Sequence, residues 1–337
     1  MRKLALVALL CATVLPMAAQ TKVLVAKNRV STSVTSDGTF ALPTLCDEQG
    51  RLYVKLVKPG TAMEGPLQRL SAKGAPEVEF DTSGELVNVY GVRPNGGVVM
   101  LHVDGVKIVD KFGPDGKRES PIRLERPPTP FFPAQIAVFR SGEILLAGTQ
   151  YHPSYRASTA IYDPTGHLVK QFVLDGDAEI ERAVEVGDAR YTRSPGGGNA
   201  AISQSVAVTG DDGFVYLMRA TSPATVYVIS AAGDVVRKIV VSAATDKGLP
   251  DFWIRVAKNK LAVKFRSGCD SALGLRSCEG TLYTVFDATT GQRLADYEAG
   301  EDTAGATACY APDPDRFFTY GTASDQRRLE IVEAGTK

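Results

Sequence analysis

Cysteine, histidine, methionine and tryptophan are scarce in this chain: 5, 3, 5 and 1 among 337 residues. No two cysteines stand in a CxxC spacing, which removes the usual thiolate zinc motifs. No His-Glu-x-x-His pair, Gly-x-Ser-x-Gly nucleophile turn or Gly-Lys-Ser/Thr phosphate loop occurs, so the common hydrolase and nucleotide signatures are missing. Charge of one sign is missing too. The 38 basic residues match the 38 acidic ones, which argues against the clustered positive footprint of a nucleic-acid binder. Beyond residue 15 no apolar run approaches the ~20 residues of a membrane helix.

The N-terminus is different in kind. Met1-Arg2-Lys3 precedes an apolar run from Leu4 to Leu15, and Pro16-Met17-Ala18-Ala19-Gln20 follows. A basic start, a short apolar stretch and a small-residue end predict a signal peptide over 1–19. Cys11, inside the apolar run and preceded by Leu10, does not fit a lipid-modified cysteine. Cleavage removes Arg2 and Lys3 and leaves 36 basic against 38 acidic residues. The expected product is an exported monomer, periplasmic or extracellular, without a membrane span or a nucleic-acid partner.

What the chain has in quantity is turns, with 32 glycines and 19 prolines. Six short hydrophobic strands each follow a glycine- or aspartate-bearing turn: DEQG-RLYVKLV, RPNG-GVVMLHV, RSG-EILLAGT, DDG-FVYLMRA, KN-KLAVKF and DPD-RFFTYG. Measured between Gly50, Gly96, Gly142, Gly213, Asn259 and Asp315, the steps are 46, 46, 71, 46 and 56 residues. A repeat of that length without helical periodicity predicts propeller blades. A second turn family, as in YDPTG-HLVKQFVL and ISAAG-DVVRKIVV, precedes the last strand of each unit.

The expectation is therefore all-β: a six-bladed β-propeller of four-stranded antiparallel blades filling residues 20–337 as one domain. The sixth unit stops one strand short, and Lys22–Ala26 stands unassigned before the first. Pairing the two closes the ring and covers an open edge. The 71-residue step is explained by an insertion at 175–201 between the third and fourth blades. Asp175-Gly176-Asp177-Ala178-Glu179 within it reads as a solvated acidic segment, and 181–185 as a helical turn.

The strings YDPTGHLVKQFVL and VISAAGDVVRKIVV resemble the later strands of NHL-type blades. Over about residues 22–333 the chain is similar to the six-bladed superfamily that includes NHL-repeat and TolB-like proteins. That resemblance implies a fold and a habit of binding on one face, not an activity. Some such relatives are lactonases or lyases with a divalent cation at the axis, held by Asp, Glu and Asn. The polar residues assignable to inner strands here, Gln135, Gln204, Arg255 and Thr307, do not form that set, and only Asn88 and Asp251 come near it. No cofactor, metal ligand or catalytic residue is assigned, and a divalent cation belongs to the alternative reading only.

In an antiparallel blade the first and third connections share one side of the ring. Those are short here, whereas 58–66, 125–134, 150–158, 175–201, 242–252 and 267–280 are long and collect on the other. Loops on a rigid scaffold usually carry recognition, so the long-loop side is the expected ligand surface. Its candidates are Tyr151, His152, Tyr155, Arg156, Tyr191, Arg193, Trp253 and Arg255, types common at binding hot spots. The alternative role for each is to pad the loops against the ring. The functional expectation is a non-catalytic binding or scaffold module for a protein, peptide or glycan, with the cation-dependent hydrolase or lyase as runner-up.

Four cysteines remain after cleavage, and an oxidising compartment admits three pairings. Cys269 and Cys278 flank a loop between paired strands, which favours Cys269–Cys278 and leaves Cys46–Cys309 to pin the ring closure. Unpaired buried thiols are the other reading.

Overall fold

Turn chemistry sets the phase of the strands. Gly50, Gly96, Gly142 and Gly213 all adopt positive φ, between 73° and 106°, where a Cβ is strained. Asn259 takes the same role at φ 57°. In two of these turns an aspartate closes the loop on itself: the Asp47 carboxylate accepts from the backbone N–H groups of Gln49 and Arg51, and Asp212 from that of Phe214. The positions used to count the repeat are thus the positions where the backbone reverses.

The computed structural model describes residues 21–35, 40–56, 65–82, 89–104, 106–150, 156–185, 202, 205–221, 223–245, 248–268, 278–303, 305–322 and 328–337. The expected signal peptide lies outside them. Strand β1 (Lys22–Thr35) comes first in the chain. β2 (Phe40–Cys46), β3 (Leu52–Leu56), β4 (Leu67–Leu70) and β5 (Pro76–Phe80) form one four-stranded sheet. β6 (Tyr90–Val92), β7 (Val98–Asp104), β8 (Val106–Phe112) and β9 (Ile122–Arg123) form a second, and β10 (Phe132–Val138), β11 (Ile144–Gln150), β12 (Arg156–Tyr162) and β13 (Leu168–Phe172) a third. After helix α1 (Asp177–Glu185), β14 (Val206–Thr209), β15 (Val215–Arg219), β16 (Ala224–Ile229) and β17 (Val235–Val241) form a fourth. Each is antiparallel and ordered as in the chain.

The remainder departs from that scheme. β18 (Leu249–Ala257), β19 (Lys260–Ser267), β20 (Gly280–Asp287) and β21 (Arg293–Ala299) share an eight-stranded sheet with β22 (Ala306–Ala311), β23 (Arg316–Thr322) and β24 (Arg328–Thr336). The join is β1. It pairs antiparallel with β24 from Leu24↔Thr336 to Thr35↔Arg328 and also parallel with β21 at Lys22↔Tyr297, Val23↔Glu298 and Leu24↔Ala299. The N-terminal strand closes on the C-terminal one as expected, and it also grips the neighbouring four strands.

Inner strands touch in sequence: β2 meets β6, then β10, β14, β18 and β22 follow, and β22 returns to β2. Apolar clusters fill the gap between each sheet and the next, including the gap between the two halves of the eight-stranded sheet. Sandwiched second strands are therefore buried on both sides, as in β3 and β15, while β17 exposes Val235, Val236 and Val240 at the periphery. The fold is all-β and propeller-like.

The acidic start of the insertion is solvated at Asp175 and Glu179 but not at Asp177. Asp177, the first residue of α1, is fully buried, where Arg219 on β15 reaches it with two N–H donors at 2.9 and 3.0 Å. The helix itself rests on β12 through Ile180 and Ala157.

Cys46 and Cys309 form a disulfide with Cα atoms 5.6 Å apart, joining β2 to β22 across 263 residues of chain. Cys278 is also disulfide-bonded; its expected partner Cys269 lies outside the described residues. A Cys46→Ala, Cys309→Ala double variant is expected to lose about 2–5 kcal/mol in urea melts, the range for a bond closing so long a loop. A loss under about 1 kcal/mol would mean that strand pairing between the termini secures the closure alone.

Candidate functional site

At the short-turn end of the axis the inner strands leave a small cavity of about 60 Å³. Its walls come from Leu45 and Cys46 of β2, Gly91 and Val92 of β6, Ile136 and Ala137 of β10, and Ala207 and Val208 of β14. These are apolar because inner-strand residues on both faces fill the gaps between neighbouring sheets. Beside it opens a wider cleft of about 490 Å³, between the turns 47–50, 256–258 and 310–312. Arg255 lines both cavities, as do Asp47 and Glu48.

Strand parity explains where Arg255 points. Ile254 and Val256 enter the cluster shared with β14–β17, so Trp253 and Arg255 face the other way. Trp253 sits in a bulge of β18 between Pro250 and Ile254. Its indole meets the Tyr283 ring edge-on at 6.0 Å and packs between the two halves of the large sheet. Arg255, opposite Ala262 and three residues before Lys258 of the Lys258–Asn259 turn, reaches the axis instead.

Arg255 is only 9% exposed, and its Nε has no hydrogen-bond partner among the described residues. Burial pushes its pKa below the ordinary arginine range, against the raising fields of Asp47, Glu48 and Asp211; arginine nevertheless keeps its proton. None of those acids pairs with it. Asp47 accepts from Arg51 Nε at 2.6 Å and from the Tyr53 hydroxyl at 3.0 Å. Glu48 is held by Arg140, and Asp211 accepts the Lys258 backbone N–H at 2.7 Å. Among the described residues the site thus holds a buried cation in an acidic field without a direct ion pair.

Leaving such a charge unpaired is costly. An Arg255→Met variant, which keeps the stem and removes the charge, is expected to be about 1–4 kcal/mol more stable than the parent. A urea midpoint that falls instead would show that the guanidinium has a stabilising partner.

The residues singled out in the sequence scatter. Tyr151, His152, Tyr155, Tyr191 and Arg193 lie outside the described residues. Arg156 is exposed at the start of β12, opposite Gln150. Arg255 stands at the short-turn end, not on the long-loop side where it was grouped with them: β18 runs past the bulge toward the axis before it turns. Among the axial polar candidates, Asp251 is ion-paired with Lys264 at 2.9 Å, and Thr307 shares a hydrogen bond with the Tyr283 hydroxyl. Asn88 and Gln204 lie outside the described residues. His102 approaches Asp110 across β7 and β8, away from both cavities. Among the described residues no three His, Cys, Asp or Glu side chains come together as a metal site. Asp47, Glu48 and the cleft walls escaped the sequence reading. Their signal was positional, since they lie just before, or within, the turns that mark the repeat.

No protein-family model matches this chain, and no curated protein matches it either. Solved structures share its outline. A gluconolactonase from Xanthomonas campestris is 13% identical, with 92% of this chain and 98% of that one covered and a TM-score of 0.48. BamB from Moraxella catarrhalis is 9% identical, with 93% and 99% covered and a TM-score of 0.42. The Dos1 propeller is 10% identical, with 96% and 94% covered and a TM-score of 0.42.

Proposed function

We propose that this protein is an exported, non-catalytic binding propeller of six blades, NHL- or TolB-like in pattern, whose primary ligand site is the short-turn end of the axis. The count of six follows from treating the halves of the eight-stranded sheet as separate blades. An apolar cluster between them, like those between the other sheets, supports that division. Export is supported by the pattern of residues 1–19 and by the Cys46–Cys309 bond. A soluble partner such as a protein, peptide or glycan would present one group to the axial cavity and lay the rest in the cleft.

The observation that carries this reading is Arg255, a buried side chain at the junction of two cavities whose Nε has no hydrogen-bond partner among the described residues. A fold does not keep an unpaired charge there for stability. The cleft is within the usual size of small-ligand sites. The runner-up, a cation-dependent hydrolase or lyase, draws no support from Asp251, whose carboxylate is taken by Lys264.

A fragment screen by crystal soaking tests the proposal. Hits are expected to gather in the cleft and axial cavity, and an Ala311→Trp variant, which fills the cleft from β22, should lose them while melting normally. Hits confined to the long-loop side, or turnover of a lactone and ester panel abolished by chelator, would overturn it.

A further inference from the structure

The chemistry around Arg255 narrows the ligand further, and this step rests on the reading of the short-turn end as the binding site. We infer that the group seated on Arg255 is a single carboxylate at the end of an apolar chain. The guanidinium fork matches a carboxylate or a phosphate bidentately, so the choice between them comes from the surroundings. Asp47, Glu48 and Asp211 all act on Arg255 through space. One negative charge on the ligand neutralises the guanidinium, whereas a second would face those three acids in a poorly solvated space.

Among the described residues the other cations nearby already face a carboxylate of the protein. Arg93 pairs with Glu119 at 2.9 Å, Arg140 with Glu48, and Arg316 with Glu333 at 2.7 Å. Lys258 stands 3.7 Å from Asp313. A dianion would therefore bind one charge and leave the other opposed.

Size and lining decide the rest. A cavity of about 60 Å³ takes a group of a few heavy atoms, since one water needs ~10–15 Å³ of such space. Beside it the cleft has one apolar wall, Val256, Ala257, Ala311, Pro312 and Phe318, and one acidic wall, Asp47, Glu48, Asp211 and Glu333. An apolar chain gains by covering the first wall, which offers a hydroxylated chain no hydrogen bond from its side chains.

Titration calorimetry with hexanoate, hexanamide, glucuronate and inorganic phosphate tests this on the full protein, on Arg255→Met and on Arg255→Lys. Near-ultraviolet circular dichroism checks that both variants are folded. Hexanoate is expected to bind at least about tenfold more tightly than the other three probes, and Arg255→Met to weaken it by at least about tenfold, the scale of one charge-assisted contact. Arg255→Lys should recover part of the loss. Equal binding of hexanamide, unchanged binding by folded Arg255→Met, or no hexanoate binding at all would overturn the carboxylate. Tighter phosphate would overturn the monoanion, and tighter glucuronate the apolar chain. Each failure is separable from failure of the site itself, because neutral fragments would still soak into the cleft if the site is real and the carboxylate is wrong.

Discussion

Replacing Arg219 with methionine is expected to destabilise the protein by about 3–5 kcal/mol, the penalty for stranding a buried charge. Arg219 and Asp177 have side chains 1% and 0% exposed. They are joined by parallel N–H···O bonds of 2.9 and 3.0 Å. The third guanidinium nitrogen donates to Ser205 Oγ at 2.8 Å, and Asp177 also accepts the Leu174 backbone N–H at 3.1 Å. Methionine fills the stem and nothing replaces the donors, so the carboxylate is left in a dry pocket. Adding Asp177→Leu should recover most of the loss, since a buried ion pair exchanged for apolar groups is often neutral. Urea melts of both single variants and the double variant give the coupling directly. A loss for Arg219→Met below about 1 kcal/mol, or no recovery in the double variant, would contradict the assignment.

Raising the pH above about 10 should unfold the protein steeply. Burial is the leading cause that raises the pKa of Tyr53, Tyr90, Tyr162, Tyr216, Tyr227, Tyr283, Tyr297 and Tyr310. Tyr162 and Tyr283 are pushed up to about 12, and the other six go higher still. Asp47, Asp212 and Asp315 add to the effect at Tyr53, Tyr216 and the pair Tyr297 and Tyr310. In the unfolded chain a tyrosine loses its proton near pH 10. Between that pH and the folded value the native state holds more protons, so stability falls as pH rises, by up to about 1.4 kcal/mol per tyrosine per pH unit. Tyrosinate absorbance and near-ultraviolet circular dichroism should therefore change together, in one cooperative step. Tyrosines that ionise near pH 10 with tertiary signal intact would disprove it.

The strand phase was legible because the turns that set it need residues able to hold positive φ, and glycine or asparagine at Gly50, Gly96, Gly142, Gly213 and Asn259 leaves that need visible in the chain. The role of Lys22–Ala26 was legible by subtraction, since the last unit lacked a strand. Its second pairing with β21 was not, because parallel contact over three residues leaves no pattern in composition. Asp177 misled: an Asp-Gly-Asp-Ala-Glu run has the look of solvent, and its partner waits 42 positions away within VYLMR. Arg255 was chosen for its type and assigned to the wrong end, because a bulge and the remaining length of β18 decide how far along the axis a residue sits. The cavity beside it is made by five strands distant in sequence, and no local window contains it.

The double grip of β1 on β21 and β24 has a consequence for biogenesis. A polypeptide that crosses a membrane or leaves a ribosome N-terminus first must carry Lys22–Thr35 without its partner until Arg328–Thr336 emerges. Intermediate sheets can stack meanwhile, but the circle stays open at one seam. Closure waits for that strand, so a nascent chain stalled before Arg328 keeps a sticky edge for chaperones to guard.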